Sequence, residues 1–325
     1  MSPMLFFKFL SFFGIFPVRM SADGLPTNRL SIFLTLLSIT FGLSYFIGNS
    51  DYIWYTVEKS QLSRVLTALP HGLAAILTEF LIRVSSIRHR NQFIKFLALT
   101  SQQSNSLHNS ESLMKYFWML PMLYSACSLT HLIGHGILYT DTGVSYTTLK
   151  SGSDWDRLLA FWIIINDVLH DCSILSSICF VVHYGKRVTS SFELLCEEML
   201  KICQAAAAHR SSSAVQFQNQ LKALAPLESE SSHAERLINM FSDAKIAFGI
   251  YSKIGGTFIF ALVLDAGTWI YYSACTALFG HPIAGAPLYY VVSTMYCVAS
   301  AINLCVIAEL GHQMASKVIV PTLCT

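Results

Sequence analysis

LYYVVSTMYCVASAINLCVI, residues 288–307, decides the fold class of this chain, because its twenty residues contain no charge. An α-helix of about 20 residues rises about 30 Å, which is the thickness of the hydrocarbon core of a bilayer. The stretch therefore predicts a membrane-spanning helix. The residues that follow it keep a helical composition to position 318, and Pro321 is predicted to stop the helix.

Composition extends this prediction to the whole chain. Hydrophobic residues make up 53% of the sequence and charged residues 12%, against about 25% charge in a soluble domain. The chain is predicted to be an integral membrane protein, and its net charge of +2 gives no reason to expect a nucleic-acid partner. Its nine cysteines lie mostly in apolar stretches, so no disulfide framework is predicted.

Six stretches are long and apolar enough to cross a membrane, which predicts an all-α, polytopic transmembrane helix bundle. The fifth is too long for one crossing and should protrude into solvent. The second and fourth contain ionisable residues. The predicted spans are residues 30–47, 66–87, 116–139, 158–183, 246–279 and 288–308.

The distribution of Lys and Arg predicts the orientation of these spans. With the N-terminus inside the cell, 15 of the basic residues in loops and termini lie on the cytoplasmic side and 4 on the outer side. Residues 1–29 are predicted to be a cytoplasmic interfacial segment, because Lys8 interrupts the apolar run and no cleavage site follows. Residues 309–325 are predicted to form a short cytoplasmic tail.

The largest predicted non-membrane part is the cytoplasmic loop 185–245. Apolar residues at helical spacing after position 188 predict that span four continues as a helix into the cytoplasm. A second helix, before span five, is predicted to pack against it as an antiparallel partner. The stretches HRSSSAVQFQNQ, residues 209–220, and APLESESSH, residues 225–233, are interpreted as connectors.

Ionisable residues inside the predicted spans are costly to bury and mark either paired charges or a functional cavity. Glu79 and Arg83 are one turn apart, and we expect them to pair and to extend towards the cytoplasmic interface. Depth would also permit an Asp171–Lys253 pair. The deep residues Asp167, Asp171, Asp265 and Lys253 either orient helices or serve a ligand or ion.

Histidines suggest a different class of function. His131 and His135 are four residues apart in span three, and His170 precedes Asp171 in span four. Two histidines at this spacing can share a metal with a nearby carboxylate. These residues could serve a transporter or an intramembrane metal-dependent enzyme, but no Glu follows His131 as in the HExxH motif. Their positions also argue against a metal site, because His131 and His135 lie towards the outer half of their span and His170 and Asp171 lie mid-membrane. Polar contacts between helices or the lining of a wet cavity are therefore the favoured explanation.

Aromatic residues concentrate in the predicted outer halves of the spans. Most of them suit the interfacial aromatic belt, but a pocket for a small organic molecule would also be apolar and aromatic with a few polar groups. We predict no catalytic, metal or cofactor site, and we expect the chain not to be an enzyme. The candidate ligand-binding residues are His131, His135, Trp162, Asp265, Trp269 and Tyr272.

Four segments in order along the chain resemble the arthropod gustatory receptor family of the insect chemoreceptor superfamily. They are FFGIFPV at 12–18, the exit of span four at 177–199, the approach to span five at 237–260, and the exit of span six at 307–318. The resemblance implies a seven-span, ligand-gated, non-selective cation channel of the plasma membrane. It also implies a small-molecule tastant or odorant, lipid contacts and a homo- or hetero-oligomer, which is a tetramer in complete family members.

One part of the family pattern is not found. Its seventh span carries Thr-Tyr, five hydrophobic residues and Gln-Phe, and this sequence contains no such string. Because that helix lines the pore in the family, the chain is predicted to keep the ligand pocket and to lack the pore helix. A non-conducting regulatory subunit is a further alternative.

Overall fold

The computed structural model describes residues 19–20, 26–27, 31–59, 62–102, 126, 129–130, 154–216, 227–279 and 287–323. Within them the chain is nearly all helical, which confirms the predicted class. The exception is an antiparallel pair of two-residue strands, β1 (Arg19–Met20) and β2 (Pro26–Thr27). The helices are α1 (Ser31–Lys59), α2 (Leu62–Arg88), α3 (Arg90–Gln102), α4 (Asp154–Gln216), α5 (Leu227–Phe279) and α6 (Pro287–Leu323).

Helix α5 is the centre of the bundle and packs against α2, α3, α4 and α6. Its buried side chains Ala247, Tyr251, Ile254 and Phe258 recur every three or four residues, so one stripe of the helix faces the other helices. Phe260, on another face, is 59% exposed. An exposed large apolar side chain in a span is expected, because lipid covers it.

The span predictions agree with the described helices. Four segments are long and apolar enough to cross a membrane, and they overlap predicted spans two, four, five and six. An apolar segment of 10–17 residues, Thr35–Ile47, falls within predicted span one. The chain is a multi-pass membrane protein, and predicted span three lies outside the described residues except for positions 126, 129 and 130. The four segments are Val65–Arg88, Val168–Gln204, Glu235–Phe279 and Tyr290–Ser316.

Helices α4 and α5 extend well beyond their apolar parts, as predicted. They contain 63 and 53 residues, whereas about 20 residues cross the hydrocarbon core. The connector prediction is wrong at two places, because α4 continues to Gln216 and α5 begins at Leu227. The alanines at 205–208 favour helix in α4, and Glu228 and Glu230 suit the positive N-terminal end of α5.

Helix α6 contains the stretch that decided the fold class. It begins at Pro287, a favoured residue at the first helical position, where no N–H is needed. The helix was expected to stop at Pro321 but runs to Leu323. A proline in the last turn removes only a terminal hydrogen bond, and so it is tolerated there better than in a helix interior.

Pro70 lies inside α2 and changes how this helix joins α5. Proline has no N–H, so the carbonyl of Leu66, four residues earlier, receives no helical hydrogen bond from it. The hydroxyl of Tyr271 on α5 donates to this carbonyl at 2.8 Å. The carbonyl that Pro70 leaves free therefore becomes a link between two helices.

A group of packed rings, here called the phenyl core, joins α3, α4 and α5. Gly185 lies beside it, and a Cβ there would be 2.6 Å from the Tyr251 hydroxyl oxygen and 2.7 Å from Leu310 Cδ2. Glycine is therefore needed for α4, α5 and α6 to approach this closely. Tyr251 also donates to the Val181 carbonyl at 3.0 Å. The phenyl core consists of Phe93, Phe96, Phe180, Tyr184, Tyr251 and Phe258.

Candidate ligand site and charged junction

Four ionisable side chains from three helices meet in the bundle interior and form the charged junction: Glu79 and Arg83 of α2, His170 of α4 and Asp265 of α5. Each is at most 8% exposed. Glu79 pairs with Arg83 through one carboxylate oxygen, and its other oxygen lies 3.2 Å from His170 Nδ1. His170 Nε2 lies 3.7 Å from an oxygen of Asp265. The junction thus links α2, α4 and α5 through charge.

Helix α1 closes one side of the charged junction. Arg83 Nη1 lies 3.4 Å from both the carbonyl and the hydroxyl oxygen of Ser38. The ring of Tyr45 stacks on His170, with centroids 4.7 Å apart and planes at 11°. Gly42 lies on the same helix, and a Cβ there would be 3.2 Å from Arg83 Cδ. The absence of a side chain at Gly42 lets the arginine stem lie against α1.

Four rings form a second group, the indole cluster, next to the charged junction: His71, Trp269, Tyr272 and Tyr296. Trp269 stacks on Tyr296 with centroids 4.2 Å apart and planes at 8°. The ring of His71 lies 4.4 Å from Trp269 and 4.8 Å from Tyr272, measured between centroids. Apolar ring faces with a few polar atoms are typical of sites for small organic molecules.

Two connections join the indole cluster to the charged junction. Trp269 follows Asp265 by four residues, which places both on one side of α5. On the other side, the hydroxyl of Tyr296 donates to Asp171 at 2.5 Å, and Asp171 is the chain neighbour of His170. A change in the position of Trp269 or Tyr296 would therefore reach the charged junction through α4 and α5.

The structure brings part of the predicted site together. Trp269 and Tyr272 both lie in the indole cluster, and Asp265 lies one turn away in the charged junction. His131 and His135 lie outside the described residues. Trp162 lies on α4, but its side chain is not among those described.

Three contributors to the site were not predicted from sequence: His71, Tyr45 and Tyr296. His71 follows Pro70 in span two, and a polar ring beside a helix-interrupting proline is a signal that could have indicated it. Tyr45 and Tyr296 have no such signal, because their importance depends on which helices become neighbours. Tyr296 is 1% exposed.

Two charge predictions are corrected by the structure. Glu79 and Arg83 do pair, but both are buried and do not extend to the interface, because His170 and Ser38 hold them inside the bundle. The Asp171–Lys253 pair does not form. Asp171 accepts the hydroxyl of Tyr296, and Lys253 is exposed on another side of α5.

The metal alternative receives no support from the residues that the structure describes. His170 directs its two ring nitrogens to Glu79 and Asp265, and Asp171 faces Tyr296 instead. The two side chains therefore do not converge on one point. Among the described residues, no group of three or more His, Cys, Asp or Glu has the arrangement of a metal site.

Comparison with solved structures shows which fold this arrangement belongs to. The insect olfactory receptor OR5 from Machilis hrabei is similar with a TM-score of 0.60 at 12% identity, over 97% of this chain and 79% of the receptor chain. The same receptor in complex with eugenol gives a TM-score of 0.60 at 16% identity, over 98% and 86% of the two chains.

This chain has the fold of an insect olfactory receptor. The likeness agrees with the chemoreceptor superfamily that the sequence segments resemble, at the level of the fold. No protein-family model and no curated protein matches the sequence.

Proposed function

We propose that this chain is a chemosensory receptor that binds a small, largely apolar organic molecule at the indole cluster. The observation that carries the proposal is the stack of Trp269 on Tyr296, whose hydroxyl is bonded to Asp171. A ligand that enters between the two rings would meet an apolar ring face on each side, and the Tyr296 hydroxyl and Asp171 are polar groups that would orient it. The fold shared with OR5, of which one structure contains eugenol, supports the same function.

Binding at this site would act on the helices through the contacts already described. A ligand that separates the two rings, or that replaces the Tyr296–Asp171 hydrogen bond, binds one helix arrangement better than the other. Such a difference in affinity is what shifts a conformational equilibrium. The four sequence segments that resemble gustatory receptors favour a tastant as the natural ligand within this proposal.

A binding experiment tests the proposed site. The full chain in lipid nanodiscs is titrated with eugenol and with a panel of small aromatic alcohols, and binding is followed by calorimetry. Trp269→Ala is expected to weaken binding about tenfold or more, which corresponds to about 1.4 kcal/mol. Trp54→Ala is the matched control, because Trp54 is 65% exposed on α1 and is not one of the four rings of the indole cluster.

Two outcomes would contradict the proposal. One is the absence of saturable binding by every compound in the panel while the wild-type protein remains folded. The other is an equal loss of affinity in Trp269→Ala and Trp54→Ala, which would place the ligand elsewhere.

A further inference from the structure

His170 is held between two carboxylates on different helices. Its Nδ1 lies 3.2 Å from an oxygen of Glu79 on α2, and its Nε2 lies 3.7 Å from an oxygen of Asp265 on α5. All three residues are at most 8% exposed. Both ring nitrogens therefore face an acceptor that water cannot readily replace.

The number of hydrogens on the ring decides whether these two contacts attract. A neutral imidazole carries one N–H and one lone pair, whereas an ionised carboxylate is only an acceptor. In either neutral tautomer, one nitrogen lone pair would face a carboxylate oxygen across a buried contact. An additional proton on the ring makes both nitrogens donors, so that each has a favourable partner while both carboxylates stay ionised.

The net charge of the junction also indicates one additional proton. Glu79 and Asp265 contribute two negative charges and Arg83 contributes one positive charge. Without a further proton, one negative charge would remain uncompensated in the bundle interior, which is unfavourable. Arg83 already holds Glu79 as its ion-pair partner. A doubly protonated His170 makes the junction neutral overall.

The side chains on the neighbouring helices are compatible with a positively charged His170 ring. On α1, Tyr45 stacks on His170 at a centroid distance of 4.7 Å, and an aromatic face attracts a cation at this range. On α6, the hydroxyl of Tyr296 is bonded to Asp171, so this third carboxylate faces away from the junction. Lys253 of α5 is exposed and supplies no charge there.

We propose that the charged junction is a proton-binding site, in which His170 carries two ring protons near neutral pH and joins α2 to α5. When the pH rises and one proton leaves, a lone pair faces a carboxylate and α5 is released from this link. Because Trp269 lies one turn beyond Asp265 on α5, the release would also reach the indole cluster. The inference concerns the protein without ligand and is independent of the proposed receptor function.

A direct test measures the protonation of His170. The full chain is labelled with ¹³C and ¹⁵N histidine, reconstituted in lipid nanodiscs and measured by solid-state NMR at pH 7. Comparison with His170→Gln assigns the His170 signals, and His312→Gln, at an exposed position of α6, is the control. We expect an imidazolium spectrum that is lost in His170→Gln and kept in His312→Gln.

Asp265→Asn provides a matched variant of the same shape that removes the need for the proton. The introduced amide can donate to the unprotonated Nε2, so a neutral His170 then has two favourable partners. The His170 spectrum should become that of a neutral ring. This variant also identifies the His170 signals if His170→Gln does not fold.

The dependence of stability on pH gives the second readout. Between pH 7 and pH 9.5, the unfolding midpoint of the wild type should fall by about 5 °C more than that of Asp265→Asn, because only the wild type loses the bridging proton. A neutral, single-tautomer His170 in the wild type at pH 7 would overturn the proposal. Identical pH curves for the two proteins would overturn it as well.

Discussion

Both the charged junction and the phenyl core join α4 to α5, the first through charged side chains and the second through packed rings. His170 and Phe180 are ten residues apart on α4, about 15 Å along the helix. At Phe180 the helices meet through rings, whose attraction comes mostly from buried apolar area and depends less on orientation than a contact between charges does. At His170 they meet through charges that stabilise only when each has its partner. The same helix pair therefore has one region that tolerates small shifts and one that does not.

Because of this difference, we expect the two regions to behave differently if the helices move relative to one another. A packed aromatic core keeps its contacts through small rearrangements, which suits a fixed base. The charged junction, in contrast, is stable only in arrangements in which each charged side chain has a partner of opposite charge. The indole cluster lies beside the junction, and so the proposed ligand and the proposed proton would both act at the region whose contacts depend on charge.

The largest expected effect comes from removing one charge of the junction. Arg83→Leu leaves Glu79 buried without its cation, and we expect a loss of about 3–5 kcal/mol in the free energy of unfolding. Thermal unfolding of the detergent-solubilised protein measures it. The double variant Glu79→Leu/Arg83→Leu removes both charges of the pair and should recover part of the loss. If the double variant is no more stable than Arg83→Leu, the junction does not depend on paired charges, and the contrast with the phenyl core is wrong.

A smaller effect is expected at the close approach beside the phenyl core. Gly185→Ala places a methyl group 2.6 Å from the Tyr251 hydroxyl oxygen. The helices must shift to avoid this clash, and we expect the free energy of unfolding to fall by about 1–3 kcal/mol. Gly256→Ala is the control, since no heavy atom of the described residues lies within 4 Å of a Cβ at that position of α5. There we expect a gain of up to about 1 kcal/mol from helix propensity. Equal unfolding midpoints for the two variants would show that α4 and α5 separate freely here.

The smallest effect concerns a neutral polar contact. Tyr271→Phe removes the hydrogen bond to the Leu66 carbonyl and should cost about 1 kcal/mol. In a Pro70→Ala background the restored N–H can bond this carbonyl, and the same substitution should then cost close to zero. A double-mutant cycle on unfolding midpoints measures the difference. Additive effects would mean that Pro70 does not create the contact.

The sequence predicted the positions of the long apolar helices well, because length and apolarity are local properties. The described spans overlap five of the six predicted ranges, including 288–308, and the long helices through 185 and 246 were expected from amphipathic spacing. The connector predictions at 209–216 and 227–233 were wrong, because the alanines at 205–208 favour helix directly before the first stretch and Glu228 and Glu230 favour helix in the second.

The candidate site was predicted less completely. Asp265 was predicted because a charge is unusual in a span, and Trp269 and Tyr272 because aromatic residues suit a pocket for a small organic molecule. His71 and Tyr296 were not predicted. The Asp171–Lys253 pair that depth permitted does not form, and the partners of His170 could not be predicted. Depth along a helix can be read from sequence, but the direction a side chain faces in the bundle depends on which helices pack together.

The sequence by itself determined that this chain is a helical membrane protein, since twenty uncharged residues can be stable in lipid only as a hydrogen-bonded helix. Tertiary structure alone decided that Glu79, His170 and Asp265, separated by 91 and 95 positions along the chain, share one buried site. The physical reason is that a charge in a span must be compensated. Sequence shows that a partner is required, and only the packing of α2, α4 and α5 shows which residue it is.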